Sequence, residues 1–306
     1  MRVDSSAGHV PALTFAIPVH HEPAAQLRAA VASVLAQDHA DWEAVVVDDG
    51  PDDDVYRGVV ASFGDDRVRY VKNAANAGIG NAWNACVDAV RTQFYTIFHA
   101  DDELMPNYAR TMLALAGAHP SGALYFCGTE IIDKNGRPMF SMPDFVKDYI
   151  RPAGREICVA GEAGLTRLCV GNFIMCPTVM YRRERIGERR FRLDIRFVLD
   201  LDFMTGLLLD GEQFFGTTVR AYRYRRHSGA GTQQMGRTGY RFDEEIALYR
   251  ALAERLGQAG MERARRAALI MPFVRLNIVH NALGDLLRGR WALAGAKLAR
   301  LAGPRP

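Results

Sequence analysis

Residues 12–50, ALTFAIPVHHEPAAQLRAAVASVLAQDHADWEAVVVDDG, decide the fold class. The stretch opens on one apolar run (12–19) and closes on another (42–50), and neither alternates apolar with polar positions. Strands of this kind are covered on both faces, as in parallel sheets flanked by helices. Between them Leu27, Val31, Val34 and Leu35 recur at helical spacing. The same alternation then continues. Helices are expected over 54–64, 77–92 and 105–120, and strands over 67–73, 94–102 and 122–133. Strand–helix alternation with short connections predicts a mostly parallel α/β sheet with helices on both faces.

Beyond residue 133 the pattern is less regular. Residues 133–138 (DKNGRP) read as a turn at a hairpin tip and 143–160 as a long loop. A helix follows over 161–171, a strand over 177–184, a helix from about Asp200 to Glu212 and a strand over 213–227. From Tyr240 to about Leu301 the spacing is helical, with breaks near Gly257–Gly260 and Gly284–Gly289 and a kink at Pro272. The expected division is a catalytic-type domain over 1–235 and a helical region over 236–306.

The chain has 306 residues, 49% hydrophobic and 24% charged, enough for a substantial core. Its net charge of +3 is too small to suggest a nucleic-acid partner, but the charge is unevenly spread. Residues 263–306 carry nine Lys or Arg and one acid, Asp285, on an otherwise acidic body. A basic tail suggests an anionic surface or partner. Five cysteines without a CxxC pair read as reduced thiols in a cytoplasmic protein. The first ten residues lack the apolar core of a secretory leader, and no apolar run reads as a membrane span.

Ligands of open parallel sheets bind beyond the carboxyl ends of the strands. Three expected strands end there in polar groups: Pro18–His21, Asp48–Asp54 and His99–Glu103. Asp48 and Asp49 can accept hydrogen bonds from a base or ribose. Asp101 and Asp102 can hold a hard divalent cation such as Mg²⁺ or Mn²⁺. Solvated loop-end acids and helix caps are the alternative for both clusters. Gly78-x-Gly80 opens a helix but meets Trp83 where a dinucleotide fingerprint needs a third glycine, so only a phosphate-facing helix start is left to it. Asp200 and Asp202 begin a helix, as caps or as a general base. YRYRRH (222–227) offers Arg and His to a diphosphate, or forms a solvated basic strand.

Taken in order, IPVHH, VVVDDGPDDD, NAGIGNAWNACV, FHADDELMP, LDLDFMTGLLLDGE and YRYRRH resemble the family 2 glycosyltransferases over residues 11–230. The resemblance implies a GT-A fold with a C-terminal helical appendage. It also implies inverting transfer of a sugar from a nucleoside-diphosphate sugar to an acceptor hydroxyl, with Mn²⁺ or Mg²⁺ as cofactor. Carried over by position, it places Pro18, Val19, His20, Asp48, Asp49, Asn76, Asn84, His99, Ala100, Asp101, Arg226 and His227 around the nucleotide sugar. It assigns the metal to Asp101 and Asp102 and the base to Asp200. His99, Trp83 and Leu199 stand where the family commonly has an acid, an Arg and a Glu. The acceptor would be a glycan or a lipid-linked sugar, and the helical tail would pack on its own domain, on another subunit, or on a membrane surface. A sugar nucleotidylyltransferase and a non-catalytic nucleotide-sugar binder are the rival readings. The first lacks its glycine-rich basic loop in PVHHEPAAQL.

Overall fold

The computed structural model describes residues 10–50, 54–73, 78–226 and 240–302. The described residues form one nine-stranded sheet. Its first part is the expected alternation: β1 (Leu13–Val19), α1 (Ala24–Leu35), β2 (Trp42–Asp48), α2 (Val55–Ala61), β3 (Val68–Lys72), α3 (Ile79–Ala89) and β4 (Phe94–Ile97). Strands β3, β2, β1 and β4 lie side by side in parallel. The apolar runs are explained by burial on both faces. Phe15, Ile17, Ala44 and Val46 pack on one side of the sheet, and Ala16, Val45 and Val47 on the other.

Two-residue β5 (Glu103–Leu104) and α4 (Tyr108–Ala118) lead to the long β6 (Gly122–Ile132). Then come α5 (Met142–Ile150), β7 (Glu156–Ala160), α6 (Gly161–Val170), β8 (Met180–Arg182), the single turn α7 (Arg183–Ile186), α8 (Leu199–Leu209) and β9 (Gln213–Arg225). Strand β8 runs antiparallel between β4 and β6, so β6 and its parallel neighbour β9 point the same way as β1–β4. Among the described strands, only β5, β7 and β8 run against this direction.

Three expectations change. The run 94–102 is strand only to Ile97; residues 99–102 turn back, with the Asp102 N–H on the His99 carbonyl at 3.1 Å. Residues 143–160 are not a loop. Pro143 and Asp144 in the first turn start α5, and Ile157 and Val159 point inward from β7 while Glu156 and Cys158 point out. Pro272 does not kink one helix but starts a new one after Met271 adopts a left-handed φ of 48°.

The C-terminal helices are α9 (Tyr240–Gln258), α10 (Glu262–Ile270), α11 (Pro272–Leu286) and α12 (Trp291–Ala299). Phe242, Leu252, Leu256, Ala268 and Ile278 belong to the same core as α6 and α8. The expected helical appendage therefore packs on the sheet's second face.

Candidate active site

The carboxyl ends of β1, β2 and β4 adjoin, because β1 pairs with both of the others. Register with β2 runs to Val19↔Asp48, but β4 leaves β1 after Ala16. One edge of β1 is therefore open at Pro18, where a residue without an N–H can be accommodated. His20 beyond it is half-buried, and its Nδ1 lies 2.6 Å from the Asp49 carbonyl. Gly50 is required at this crossing, since a Cβ there would lie 2.5 Å from the His20 carbonyl oxygen.

Asp48 does not face the crevice. It is fully buried, and its carboxylate accepts from Gly50 N at 2.8 Å, Tyr70 Oη at 2.6 Å and Lys72 Nζ at 3.3 Å. It fixes the turn that presents Asp49, whose Oδ1 takes the Asn73 amide at 2.8 Å. Asn84 is likewise a support. Its amide donates to the Phe191 carbonyl (2.9 Å) and accepts from the Phe191 N–H (2.8 Å), locking α3 to the loop before α8. Ala100 packs its methyl in the core, leaving only its backbone for a ligand. Asn76 and His227 lie outside the described residues.

The acids after β4 are held by β9. Asp102 is buried and accepts from Tyr222 Oη (2.9 Å) and the Arg225 N–H (2.7 Å). The Arg225 guanidinium bonds the Asp101 carbonyl at 2.7 Å and pairs with Glu103, which also takes Arg223. Strand β9 thus supplies the positive charge that a cluster of like charge demands. Even so, burial and then the neighbouring Asp101 push Asp102 well above the usual carboxylate range.

His99, Asp101 and Asp102 each offer a ligand atom, all within 4.8 Å of one another. His99 Nε2 is buried without a hydrogen-bond partner. Burial holds this imidazole below its ordinary value, although the charges of Asp101, Glu22 and Asp200 pull it upward, so the ring is neutral near pH 7.

Arg226 forms a two-pronged pair with Asp144 of α5, at 2.6 and 2.7 Å. The basic strand is therefore not a solvated face: Arg223, Arg225 and Arg226 all have acid partners. Asp200 stands at the N-terminus of α8, half-buried, with Oδ2 3.3 Å from the Asn172 amide. Burial raises it above the usual range, and the charge of Lys147 on α5 acts against this. Asp202 faces elsewhere, 3.5 Å from Arg192. The two acids share a helix start, but it is Asp200 whose charge acts on the His99 imidazole.

The sequence profile of Glycosyl transferase family 2 matches residues 14–185, over half of the chain, from Thr14 in β1 to beyond β8. This chain belongs to glycosyl transferase family 2. The glycosyltransferase is 32% identical over 192 residues to the succinoglycan biosynthesis protein ExoO of Rhizobium meliloti, covering 60% of this chain and 49% of that one. It is 31% identical over 147 residues to the O-antigen biosynthesis protein RfbC of Myxococcus xanthus, covering 46% and 11%. The chain spans between about a fifth and three fifths of the curated relatives it matches first. Among solved structures it resembles S. aureus TarS 1-349 in complex with UDP-GlcNAc (TM-score 0.66, 16% identity, 92% of this chain and 79% of that). It also resembles the mannosyltransferase PcManGT of Pyrobaculum calidifontis in complex with GDP-Man and Mn²⁺ (0.57, 14%, 97% and 77%). The fold is GT-A, and the nucleotidylyltransferase reading falls away.

Several site residues of the glycosyltransferase escape sequence reading. Asp144 and Lys147 lie in the segment read as loop. Glu244 of α9 accepts the N–H groups of Arg196 (2.9 Å), Phe197 (2.5 Å) and Val198 (3.0 Å), which lead into Asp200. The SMPDF start of α5 was a legible signal for the first two; FDEE carried none for the third.

Proposed function

We propose that this glycosyltransferase is an inverting, metal-dependent enzyme that moves a sugar from a nucleoside-diphosphate sugar to an acceptor hydroxyl in glycan or surface-polysaccharide assembly. The observation that carries the reading is Asp200, a half-buried carboxylate without an ion-pair contact among the described residues, whose charge reaches His99 of the His99–Asp101–Asp102 cluster. Inversion in one displacement needs one base. Asp200 would take the proton from the acceptor oxygen as that oxygen attacks the anomeric carbon. Asn172 orients the carboxylate, and the start of α8 stabilises its charge. Asp49 and the Pro18–His20 edge would hold the nucleoside. The UDP- and GDP-sugars of the two neighbours support a donor of this class. The five cysteines, unpaired in the structure, support a reducing cytoplasm as its setting.

A divalent cation fits the residues present. The neutral His99 imidazole, with Nδ1 4.0 Å from Asp102 Oδ2, stands beside two hard carboxylates, a donor set that suits such an ion. His99, Asp101 and Asp102 would hold it, and it would supply positive charge to the departing diphosphate.

A thermal-shift screen of UDP-, GDP-, dTDP- and CMP-sugars, with and without Mn²⁺ or Mg²⁺, tests donor and metal together. One nucleotide class should raise the melting temperature only with metal, and Asp102→Asn should abolish the shift. A full shift in EDTA would remove the metal from the reading. Lys147→Met tests the base. Removing the cation that holds Asp200 down should move the acid limb of kcat to higher pH, and an unmoved limb would detach Lys147 from Asp200.

A further inference from the structure

We propose that the outer face of α10–α12 is a docking surface for an anionic lipid bilayer, which seats the mouth of the crevice against lipid-borne acceptors; the second half rests on the transfer reading above. Leu276, Leu283 and Leu287 follow one another at helical spacing along α11 and its C-cap, and Trp291 opens α12 after the turn at Gly289. They are 56%, 54%, 90% and 70% exposed. Such a stripe is an unpartnered apolar face, while the opposite face of the same helix buries Val274, Ile278 and Ala282.

From residue 263 onward the exposed charge has one sign, while Glu262 at the start of α10 pairs with Arg265 at 3.2 Å. Arg263, Arg266, Arg275 and Arg288 are exposed. Asp285, the only acid from residue 263 onward, is buried and paired with Lys297 at 2.8 Å. An apolar stripe bordered by arginines, with its acid neutralised internally, is complementary to a bilayer with anionic headgroups. By length and composition Glu262–Leu286 could cross a membrane. The break at Met271 and the packing of Ala264, Ala268, Val274 and Ile278 into the core instead lay it along the surface.

The face is continuous with the crevice. Gly171 lets Ile150, the last residue of α5, and Phe273 of α11 close in on it; a Cβ there would lie 2.7 Å from one and 2.8 Å from the other. Helix α5 turns Phe145 and Tyr149 outward, 55% and 82% exposed, while its Asp144 holds Arg226 on the inner side. The apolar border thus runs from α11 to the helix that carries Lys147 towards Asp200.

Flotation of the full chain with phosphatidylcholine vesicles, with and without phosphatidylglycerol, tests this. Binding should need the anionic lipid and weaken with salt. Leu287→Glu with Trp291→Glu should reduce it about tenfold or more, since two large apolar side chains leave the interface. Both residues are exposed, so the variant should keep its melting temperature and its turnover of a water-soluble acceptor. No flotation with anionic vesicles, or equal flotation of wild type and variant, overturns the proposal. So does a dimer that the variant dissociates while vesicle binding stays absent, which assigns the face to a second copy. Vesicle binding with no transferase activity would leave the docking surface standing and remove the transfer reading instead.

Discussion

Asp200→Asn is expected to lower the turnover of acceptor roughly 10²–10⁴-fold, the usual range for a general base. Donor-induced thermal stabilisation should persist, because Asn keeps the shape of the side chain and Asp200 has no contact with Asp49, Asp101 or Asp102 through a hydrogen bond. Asp202→Asn should change the rate far less, since its partner is Arg192 on the outer loop. The pH profile adds a second test. Burial raises Asp200 above the ordinary carboxylate range. The base form exists above that raised value, so kcat should fall as pH drops through it, at a higher pH than for a solvated aspartate. Equal losses in the two variants, or a profile flat through the mildly acidic region, would take the base role from Asp200.

This pair of acids also shows where sequence reading stops. Two positions apart on a helix, Asp200 and Asp202 look alike in LDLDF. Their partners, Asn172 and Arg192, are fixed only when α6, α8 and the intervening loop pack. The sheet was legible for the opposite reason. Its signal in β1 and β2 is local, a run of apolar residues that only burial on both faces can satisfy. The acids of HADD were legible as a cluster, but Tyr222 and Arg225, which hold Asp102, come from over a hundred residues later. Helix α5 does carry an apolar stripe, with Met142, Phe145, Val146, Tyr149 and Ile150 at helical spacing, but it was missed because it spans only nine residues and its buried position is the acid Asp144, the reverse of a core-facing helix. Asp48 and Asn84 read from the sequence as ligand-facing polar residues; their hydrogen bonds run instead to Tyr70 and to the Phe191 backbone.

Glu244→Ala is expected to destabilise the protein by about 1–3 kcal/mol, because the buried Val198 N–H loses its acceptor at that cost while the part-buried N–H groups of Arg196 and Phe197 can turn to water. The carboxylate comes from α9, and the three donors lead directly into α8. Losing it should loosen the loop that sets the depth of Asp200, so kcat should drop by at least about tenfold, as small misplacements of reacting groups do. Donor affinity should change little, since the nucleotide side of the crevice is built on β1, β2 and β4. Denaturant unfolding and steady-state kinetics separate these effects. Glu244→Gln, which keeps one oxygen acceptor, should fall between wild type and Ala in both. Wild-type stability and kcat in the Ala variant would mean that α9 merely covers the core. A lowered kcat in the Gln variant with an unmoved acid limb would show that Glu244 sets where Asp200 stands and not how tightly it holds its proton. That outcome would make the C-terminal helices part of the catalytic frame, because the base would then depend on a residue outside the segment the family profile spans.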